Sequence, residues 1–471
     1  MFIVRPPLAL AVLIAATTSA AVGAQSLPAS PASSVEKPGK EETAPKKDET
    51  GLLVTASSRL RYETVDGRPR PGYATSEDVV LLRTGIAAEY GPGPFAIGAE
   101  LIDSRGYDIG KTSQIGRDDV NALEVPQAYV KLRLDDTPGL GGRLAVQAGR
   151  FLLNLGSGRL VATDEYRNTV NGFTGIQVEL DPDRNHAVTL FYVLPQERLP
   201  DAAEAIRRNA VRIDRETFDD VLFGGLLRRK AVLGAAQLEL GFYRLVERDS
   251  PGRTTADRHL NTFDARLVRE SAARVVDYDL EGVFQAGRAS DSTMATAANA
   301  RVAAGFAHAA IGYTFPHRFK PRVSLFYDYA SGDRPGGRLT RFDTLFGSRR
   351  DDLGPSGTYA GVARENLSAP GVRFEAKPGK RVELLADYRG LWLASRYDRF
   401  YNVVDRTGRS GSFAGQQLSG RLRLWLIPDH LRLESNAALL FKGRFLREAP
   451  QALARDHDLT RLIETNVQVT F

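Results

Sequence analysis

The stretch QAYVKLRLDD, residues 127–136, decides the fold. Its even-numbered residues from Ala128 to Leu134 are all apolar, whereas the alternate positions carry Gln, Tyr, Lys, Arg and Asp. This two-residue period predicts a β-strand with one apolar face and one wet face. The same alternation recurs in VVDYDLEGVF (275–284), SGRLRLWLIP (419–428) and HLRLESNAALLF (430–441). No helical period of comparable length competes with it, so we expect few helices.

The first fifty residues read as targeting and linker sequence. Arg5 is followed by a short apolar stretch and then by small residues up to Ala24, which predicts a secretory signal peptide over residues 1–24. The alternative is an ordinary N-terminal core helix. Residues 25–50 are rich in Pro, Ala, Lys and Glu and predict a flexible leader. The folded part is therefore expected over residues 51–471.

The connections between the alternating segments differ in length in a regular way. Short turns are predicted at 91, 136, 181, 230, 270, 316, 377 and 427. Long polar loops are predicted at 63–76, 106–121, 153–167, 196–216, 248–257, 289–295, 332–362, 396–411 and 447–458. Eight short turns and nine long loops imply 18 strands. Short periplasmic turns and long extracellular loops are typical of an all-β, antiparallel transmembrane β-barrel of the bacterial outer membrane, and a β-sandwich or β-solenoid would not sort its loops this way.

The C-terminal stretch IETNVQVTF, residues 463–471, fits the same membrane setting. Its residues Thr465, Val467, Val469 and Phe471 share one face, which we expect to meet lipid. Only a closed barrel pairs every backbone group of such strands inside hydrocarbon. A final aromatic residue is also typical of outer-membrane barrels.

Composition narrows the chemistry. The chain has no cysteine, which excludes disulfides, thiol catalysis and cysteine metal sites. Only 11 of its 63 basic residues are lysine, so arginine dominates. An exported protein is not expected to meet nucleic acid, so no nucleic-acid partner is predicted. The arginine excess indicates anionic ligands, lipopolysaccharide phosphates or internal ion-pair networks, and composition does not choose among them.

If the apolar faces meet lipid, the opposite positions line a lumen. The basic residues assigned to it by this parity are Lys131, Arg133, Arg266, Arg301, Arg322, Arg373, Arg389, Arg421, Arg423 and Arg432. The acidic ones are Glu179, Glu239, Asp264, Asp277, Asp279, Glu281, Asp328, Glu375, Asp387 and Glu434. These charges either pair across strands and brace the wall, or converge into a ring that selects anions. Arg421 and Arg423, two apart on one strand face, are the strongest candidates for such a ring.

Two blocks of the sequence resemble a known family. The first is GRFLLNLGSGRLVATDEYRNTVNGFTGIQVEL (149–180). The second comprises PRVSLFYDYASGDRPGG (321–337), FDTLFGSRRDDLG (342–354) and ENLSAPGVRFEAKP (365–378). They are similar to motifs of the alginate export porins.

The resemblance implies an 18-stranded barrel with an electropositive constriction that passes polyuronate. Carried over to this chain, its lumen arginines are Arg150, Arg373, Arg421 and Arg423, with Arg159 at a loop edge. Arg150 breaks the alternation, and a β-bulge at Gly149 would reconcile it. Every periplasmic turn is short, so the loop of residues 331–366 is the expected lid.

The sequence thus favours passive export of an anionic, alginate-like polysaccharide through an arginine-lined channel. The alternative is an uptake porin for small organic acids or oligosaccharides, and an outer-membrane lipase or protease is a third hypothesis. No motif indicates an enzyme, a nucleotide site, a metal or a cofactor. Expected partners are the transported anion, outer-membrane lipid and lipopolysaccharide, and periplasmic proteins of a secretion complex.

Overall fold

The structure is a computed structural model that describes residues 51–135, 142–250, 252–355, 357–359, 361–452 and 458–471. The predicted signal peptide and leader lie outside the described residues. So do the predicted turn at 136 and part of the predicted loop at 447–458.

The regular secondary structure of the described chain is almost entirely β-strand. The strands are β1 (Leu52–Asp66), β2 (Glu77–Tyr90), β3 (Phe95–Tyr107), β4 (Asn121–Leu134), β5 (Arg143–Leu152), β6 (Gly172–Asp181), β7 (His186–Pro195), β8 (Asp220–Arg229), β9 (Gln237–Glu247), β10 (His259–Arg269), β11 (Val276–Ser290), β12 (Asn299–Thr314), β13 (Arg322–Ala330), β14 (Arg338–Leu339), β15 (Leu367–Gly379), β16 (Val382–Trp392), β17 (Phe413–Ile427), β18 (Leu431–Lys442) and β19 (Leu459–Thr470). The helices are α1 (Ala203–Arg207), α2 (Arg350–Leu353), α3 (Arg444–Glu448) and a 3-10 turn at Gly357–Tyr359. None of the helices in the described ranges is long and apolar enough to cross a membrane.

The sheet closes on itself. Strand β1 pairs with β2 on one edge and with β19 on the other, and both pairings are antiparallel. The backbone amide of Ala56 donates to the carbonyl of Phe471 at 3.0 Å, and the Phe471 amide donates back at 2.8 Å. Strand β14 is a two-residue segment that adds in parallel to β12, and β13 pairs directly with β15. The barrel therefore has 18 antiparallel strands, which confirms the predicted fold.

Short and long connections alternate as predicted. The seven predicted turns within the described residues each join two consecutive barrel strands, for example β15 to β16 between Gly379 and Val382. Between them run the long loops, of which the longest connects β13 to β15 across residues 331–366. We call the two ends of the barrel the short-turn end and the long-loop end. In an outer membrane these ends face the periplasm and the cell exterior.

The outer surface of the wall suits hydrocarbon. Val130, Leu325 and Ile463 lie at outward positions, and Leu325 is 67% exposed. On β19 the alternate residues Thr460 and Glu464 point inward and are fully buried. Apolar side chains thus face out and polar ones face in, as the period-two pattern predicts.

The interior of the long-loop half is filled, which the sequence did not indicate. Phe342, Leu353 and Tyr359 belong to the β13–β15 loop and are buried in one apolar cluster with wall residues such as Phe151 and Phe306. Side chains on the inner wall of an open pore would contact water. Their burial shows that loops from the long-loop end fold down into the barrel.

Candidate functional site

Most of the predicted lumen residues do lie on the inner face. Lys131 and Arg133 share the parity of half-buried Tyr129 on β4, and the others share the parity of buried neighbours on their strands. The full set comprises Lys131, Arg133, Arg266, Arg322, Arg373, Arg389, Arg421, Arg423, Arg432, Asp277, Asp279, Glu281 and Asp387. The interior is therefore charged along its wall, with both signs present. What these charges can do depends on the loops inserted among them.

The β5–β6 loop, residues 153–171, is the first inserted loop. Arg59 and Arg83, on neighbouring strands, both donate to the carbonyl of Glu165, at 3.0 and 3.1 Å. Arg61 donates to the carbonyl of Tyr166 at 2.6 Å. A guanidinium presents several N–H groups in a rigid fork, so these three arginines hold the loop backbone against the wall.

The β13–β15 loop, residues 331–366, is the second inserted loop. Glu63 of β1 accepts hydrogen bonds from the backbone amide and the hydroxyl of Thr358, at 2.7 and 2.9 Å. Arg68 donates to the Thr358 carbonyl at 2.6 Å, and Tyr359 donates to Gln417 of β17 at 2.8 Å. The loop thus spans the interior from β1 to β17. This is the loop that the sequence predicts as a lid.

Asp352 of the second inserted loop is the centre of an arginine cluster. Its carboxylate accepts from Arg159 at 2.7 Å and from Arg364 at 2.8 Å. Its backbone carbonyl accepts from Arg373 at 3.2 Å and also from Arg389. Four guanidinium groups from the loops and the wall therefore meet at one residue deep in the barrel.

The charge of Asp352 is strongly favoured. Burial by itself would raise the pKa of this carboxyl group. The nearby Arg159, His308 and Arg364 outweigh burial and hold the pKa well below its usual range. Asp352 is therefore an ionised carboxylate at any physiological pH.

Arg159 links this cluster to the barrel wall. It donates to Asp279 at 3.1 Å and also to Glu281, both on β11. Arg266 of β10 bridges Asp279 at 2.7 Å and Glu239 at 3.0 Å. The predicted residues Arg266, Asp279 and Glu281 thus form one network, and Arg159 lies inside it rather than at a loop edge.

A cavity lies below this network, toward the short-turn end. It is lined by Arg159, Arg266, Asp277, Asp279, His308, Arg322, Ser324, Asp328, Asp352, Arg373, Glu375 and Arg421, and it reaches Arg269, Glu270 and Ser271 at the β10–β11 turn. Arg322 contacts Asp277 at 3.0 Å and also contacts Glu375. His308 Nδ1 lies 2.7 Å from Asp328. The cavity therefore runs from the short-turn rim to the inserted Asp352.

Several predicted charges pair with other residues of the wall. Arg133 pairs with Glu89 at 3.0 Å, and Arg423 pairs with Glu434 at 2.6 Å. Arg432 donates to Gln468 at 2.7 Å, and Arg373 approaches Asp387 at 3.5 Å. Arg421 lines the cavity, whereas Arg423 lies outside its lining. The two arginines of the predicted ring thus differ in their surroundings.

Arg150 is not on the lumen face. The register of β5 with both neighbours runs through Gly149 without a shift, so the expected bulge is absent. Phe151 points inward and is fully buried, which turns Arg150 to the outer face. There it pairs with Glu124 at 2.9 Å and with Glu216, from the β7–β8 loop, at 2.7 Å.

Arg301 is the second correction. Val302, Ala304 and Phe306 of β12 are buried inside, so Arg301 faces outward and is exposed. The physical reason is the filled interior, where Phe306 stacks on Phe342 of the second inserted loop at 5.4 Å. At this end of the barrel the inner face is apolar, and the rule that polar residues point inward fails.

Several residues of the site were not predicted. Arg59, Arg61 and Glu63 alternate along β1 and could have been assigned to the lumen by the same parity rule. Asp352 and Arg364 lie in an irregular loop, where no periodicity exists to place them. Among the described residues, no group of three or more His, Asp or Glu side chains could hold a metal ion.

The wall, its loop lengths and its charged interior are those of an outer-membrane channel. A family model described as Alginate export matches residues 52–458, almost the whole barrel. The chain belongs to the alginate export family. No curated protein sequence matches it at a significant level.

Solved outer-membrane channels share the fold of this alginate export family member. OccK8 (OprE) of Pseudomonas aeruginosa has a TM-score of 0.57 at 12% identity, over 89% of this chain and 98% of its own. OccAB1 of Acinetobacter baumannii has a TM-score of 0.57 at 14% identity, over 89% and 96%. OccK2 (OpdF) of Pseudomonas aeruginosa, solved in complex with glucuronate, has a TM-score of 0.54 at 11% identity, over 89% and 98%. The likeness confirms the barrel fold.

Proposed function

We propose that this barrel is a passive export channel for an anionic polysaccharide of the alginate type, with its arginine-bearing lumen as the pathway. The observation that carries the proposal is the arginine cluster around Asp352. Arg159 and Arg364 donate hydrogen bonds to the Asp352 carboxylate inside the barrel, at 2.7 and 2.8 Å. Family and fold are of the channel type, which supports a transport role rather than catalysis.

In this proposal Asp352 stands in for a substrate carboxylate. Uronate residues carry a carboxylate, and a guanidinium can bind both of its oxygens. Two unit charges about 4 Å apart attract by roughly 4 kcal/mol at an effective dielectric near 20. When the second inserted loop withdraws, Arg159, Arg373 and Arg389, which hold Asp352 from outside that loop, become available to an incoming anion.

The acidic residues of the cavity keep the binding transient. Arg266 remains shared with Asp279 and Glu239, at 2.7 and 3.0 Å. Arg322 remains shared between Asp277 and Glu375. A pathway made only of free arginines would retain a polyanion, whereas competing carboxylates let each site release it.

The second candidate function is uptake of small organic acids. The filled interior favours it, because a small anion needs less loop movement than a polymer chain. The glucuronate complex of OccK2 adds support from a barrel of the same fold, since glucuronate is a monomeric uronate. Both candidates use the same carboxylate–arginine chemistry and differ in the size and direction of the cargo.

The test is the block of single-channel current in planar bilayers by oligouronates. We expect charged oligomers to interrupt the current and neutral oligosaccharides of equal length to leave it unchanged. Replacing Arg373 and Arg421 with Ala should weaken the block at least tenfold, about 1.4 kcal/mol, because both residues line the cavity. Arg381→Ala, in the exposed β15–β16 turn, is the matched control.

Equal block by charged and neutral oligomers would contradict the proposal. Block by monomeric uronates together with indifference to oligomers would select the uptake alternative.

A further inference from the structure

A row of arginines faces away from the lumen at the long-loop end of the barrel. Arg288 of β11 lies opposite Arg301 of β12 in the strand register, and Arg301 lies opposite Arg338 of β14. All three side chains are exposed. Their inward-facing neighbours Ala289 and Val302 are buried, which fixes the direction of the row. We call these three residues the arginine row.

The arginine row lacks protein counter-charges. Within the part of the chain that the structure describes, no side chain of the row makes a hydrogen bond or an ion pair. Asp257 is a nearby acid, but it accepts from Asn299 at 2.6 Å and lies 3.6 Å from His259. Like charges directly opposite each other on adjacent strands are destabilising. An external anion placed between them would remove that repulsion.

An aromatic surface lies beside the arginine row on the membrane side. Phe284 of β11, Phe263 of β10 and Phe242 of β9 are outward and cross-strand neighbours. Each is more than a third exposed. Phe284 precedes Arg288 by four residues, which is about 13 Å along a strand. The surface therefore offers guanidinium groups at the rim and aromatic rings within the hydrocarbon.

We propose that the arginine row binds the phosphate groups of lipopolysaccharide, with its acyl chains against the aromatic surface. The outward direction of the row places it among outer-leaflet lipids, since the long loops mark the exterior. Arginine suits phosphate because its planar fork forms two parallel hydrogen bonds. A free phosphate ion would gain nothing from the phenylalanines, so the combined surface fits a phosphorylated lipid.

The test uses the full barrel in detergent, titrated with lipid A carrying its phosphates and with dephosphorylated lipid A. The test variant changes all three residues of the arginine row to glutamine (R288Q, R301Q and R338Q). This change should weaken the binding of phosphorylated lipid A on the order of 100-fold, because each arginine contributes a factor of about ten or less. Binding of dephosphorylated lipid A should not change. Arg461→Gln is the matched control, because Arg461 of β19 is exposed at the same end but lies opposite an acid, Asp66 of β1, in the strand register.

Equal affinity of the triple variant and the wild type for phosphorylated lipid A would overturn the proposal. So would an equal loss in the Arg461→Gln control, since the effect would then reflect general charge. The triple variant should keep its ion conductance, because the row lies outside the lumen. That readout also shows that the variant barrel is folded, and it separates this proposal from the transport function.

Discussion

Asp352 ties the second inserted loop to the rest of the barrel interior through arginine side chains. Its carboxylate pairs with Arg364 of the same loop and with Arg159 of the first inserted loop, and Arg159 joins it to the wall at Asp279. Removing one partner of a buried ion pair leaves an uncompensated charge and costs about 3–5 kcal/mol. The loop should therefore leave the lumen more often when this charge is removed.

We expect Asp352→Asn to raise the open probability of single channels by at least tenfold in planar bilayers. The control is Asp291→Asn, since Asp291 is exposed in the β11–β12 loop. Unchanged gating in a folded Asp352→Asn barrel would show that the loop is not held by this charge.

Residue-level prediction from sequence succeeded where the wall meets lipid and failed where it meets inserted loops. Arg322, Arg373 and Arg421 were placed in the lumen because apolar neighbours alternate with them. Arg301 is misplaced because Phe306 packs inward, against Phe342 of a loop. Arg150 is misplaced by the family resemblance, because the bulge that it required is absent and the plain alternation already puts Arg150 on the outer face. Period two fixes which residues share a face, but the identity of the buried face depends on what fills the barrel.

At the scale of elements, the sequence predicts the strands and the connections between them. It does not predict how the long loops pack inside the barrel. Each strand has its own two-residue period, and turn residues such as those at 377–380 mark where one strand ends and the next begins. The inserted loops are held by contacts distant in sequence, such as Glu63 with Thr358 and Arg159 with Asp352. No local pattern encodes such pairs, so the sequence predicts a lid from the β13–β15 loop but not the contacts that hold the loop inside the barrel.

The β3–β4 loop provides a pH test at this scale. Asp119 is buried in it and accepts from the Gly116 amide at 3.1 Å. Burial, with the charges of Glu63 and Asp118, raises the pKa of Asp119 from 3.8 to about 7. Between these values the folded state holds a proton that the unfolded state has released, so this contribution to stability falls as pH rises toward 7 and is lost above it.

We expect the unfolding temperature of the wild type to drop between pH 5 and pH 8 by more than that of Asp119→Asn, since asparagine cannot ionise. Asp108→Asn, an exposed position in the same loop, should behave like the wild type. Identical pH profiles for wild type and Asp119→Asn would contradict the assignment.

At the scale of the whole molecule, closure and filling have separate roles. Pairing of β1 with β19 removes the sheet edges, which lets the strands cross hydrocarbon. The inserted loops then decide how much of the lumen is open. Outside the lumen, the arginine row and the adjoining phenylalanines suit a phosphorylated lipid, so our two proposals place an anionic partner on each face of the same wall.

The central claim is that the lumen of this barrel is a pathway for anions. The most direct measurement is the reversal potential of single channels under a tenfold gradient of potassium chloride across a planar bilayer. We predict a reversal potential whose sign shows that chloride permeates faster than potassium. The magnitude of this potential should be smaller after replacement of Arg373 and Arg421 by Ala. A potential of the opposite sign, unchanged by those replacements, would contradict the claim.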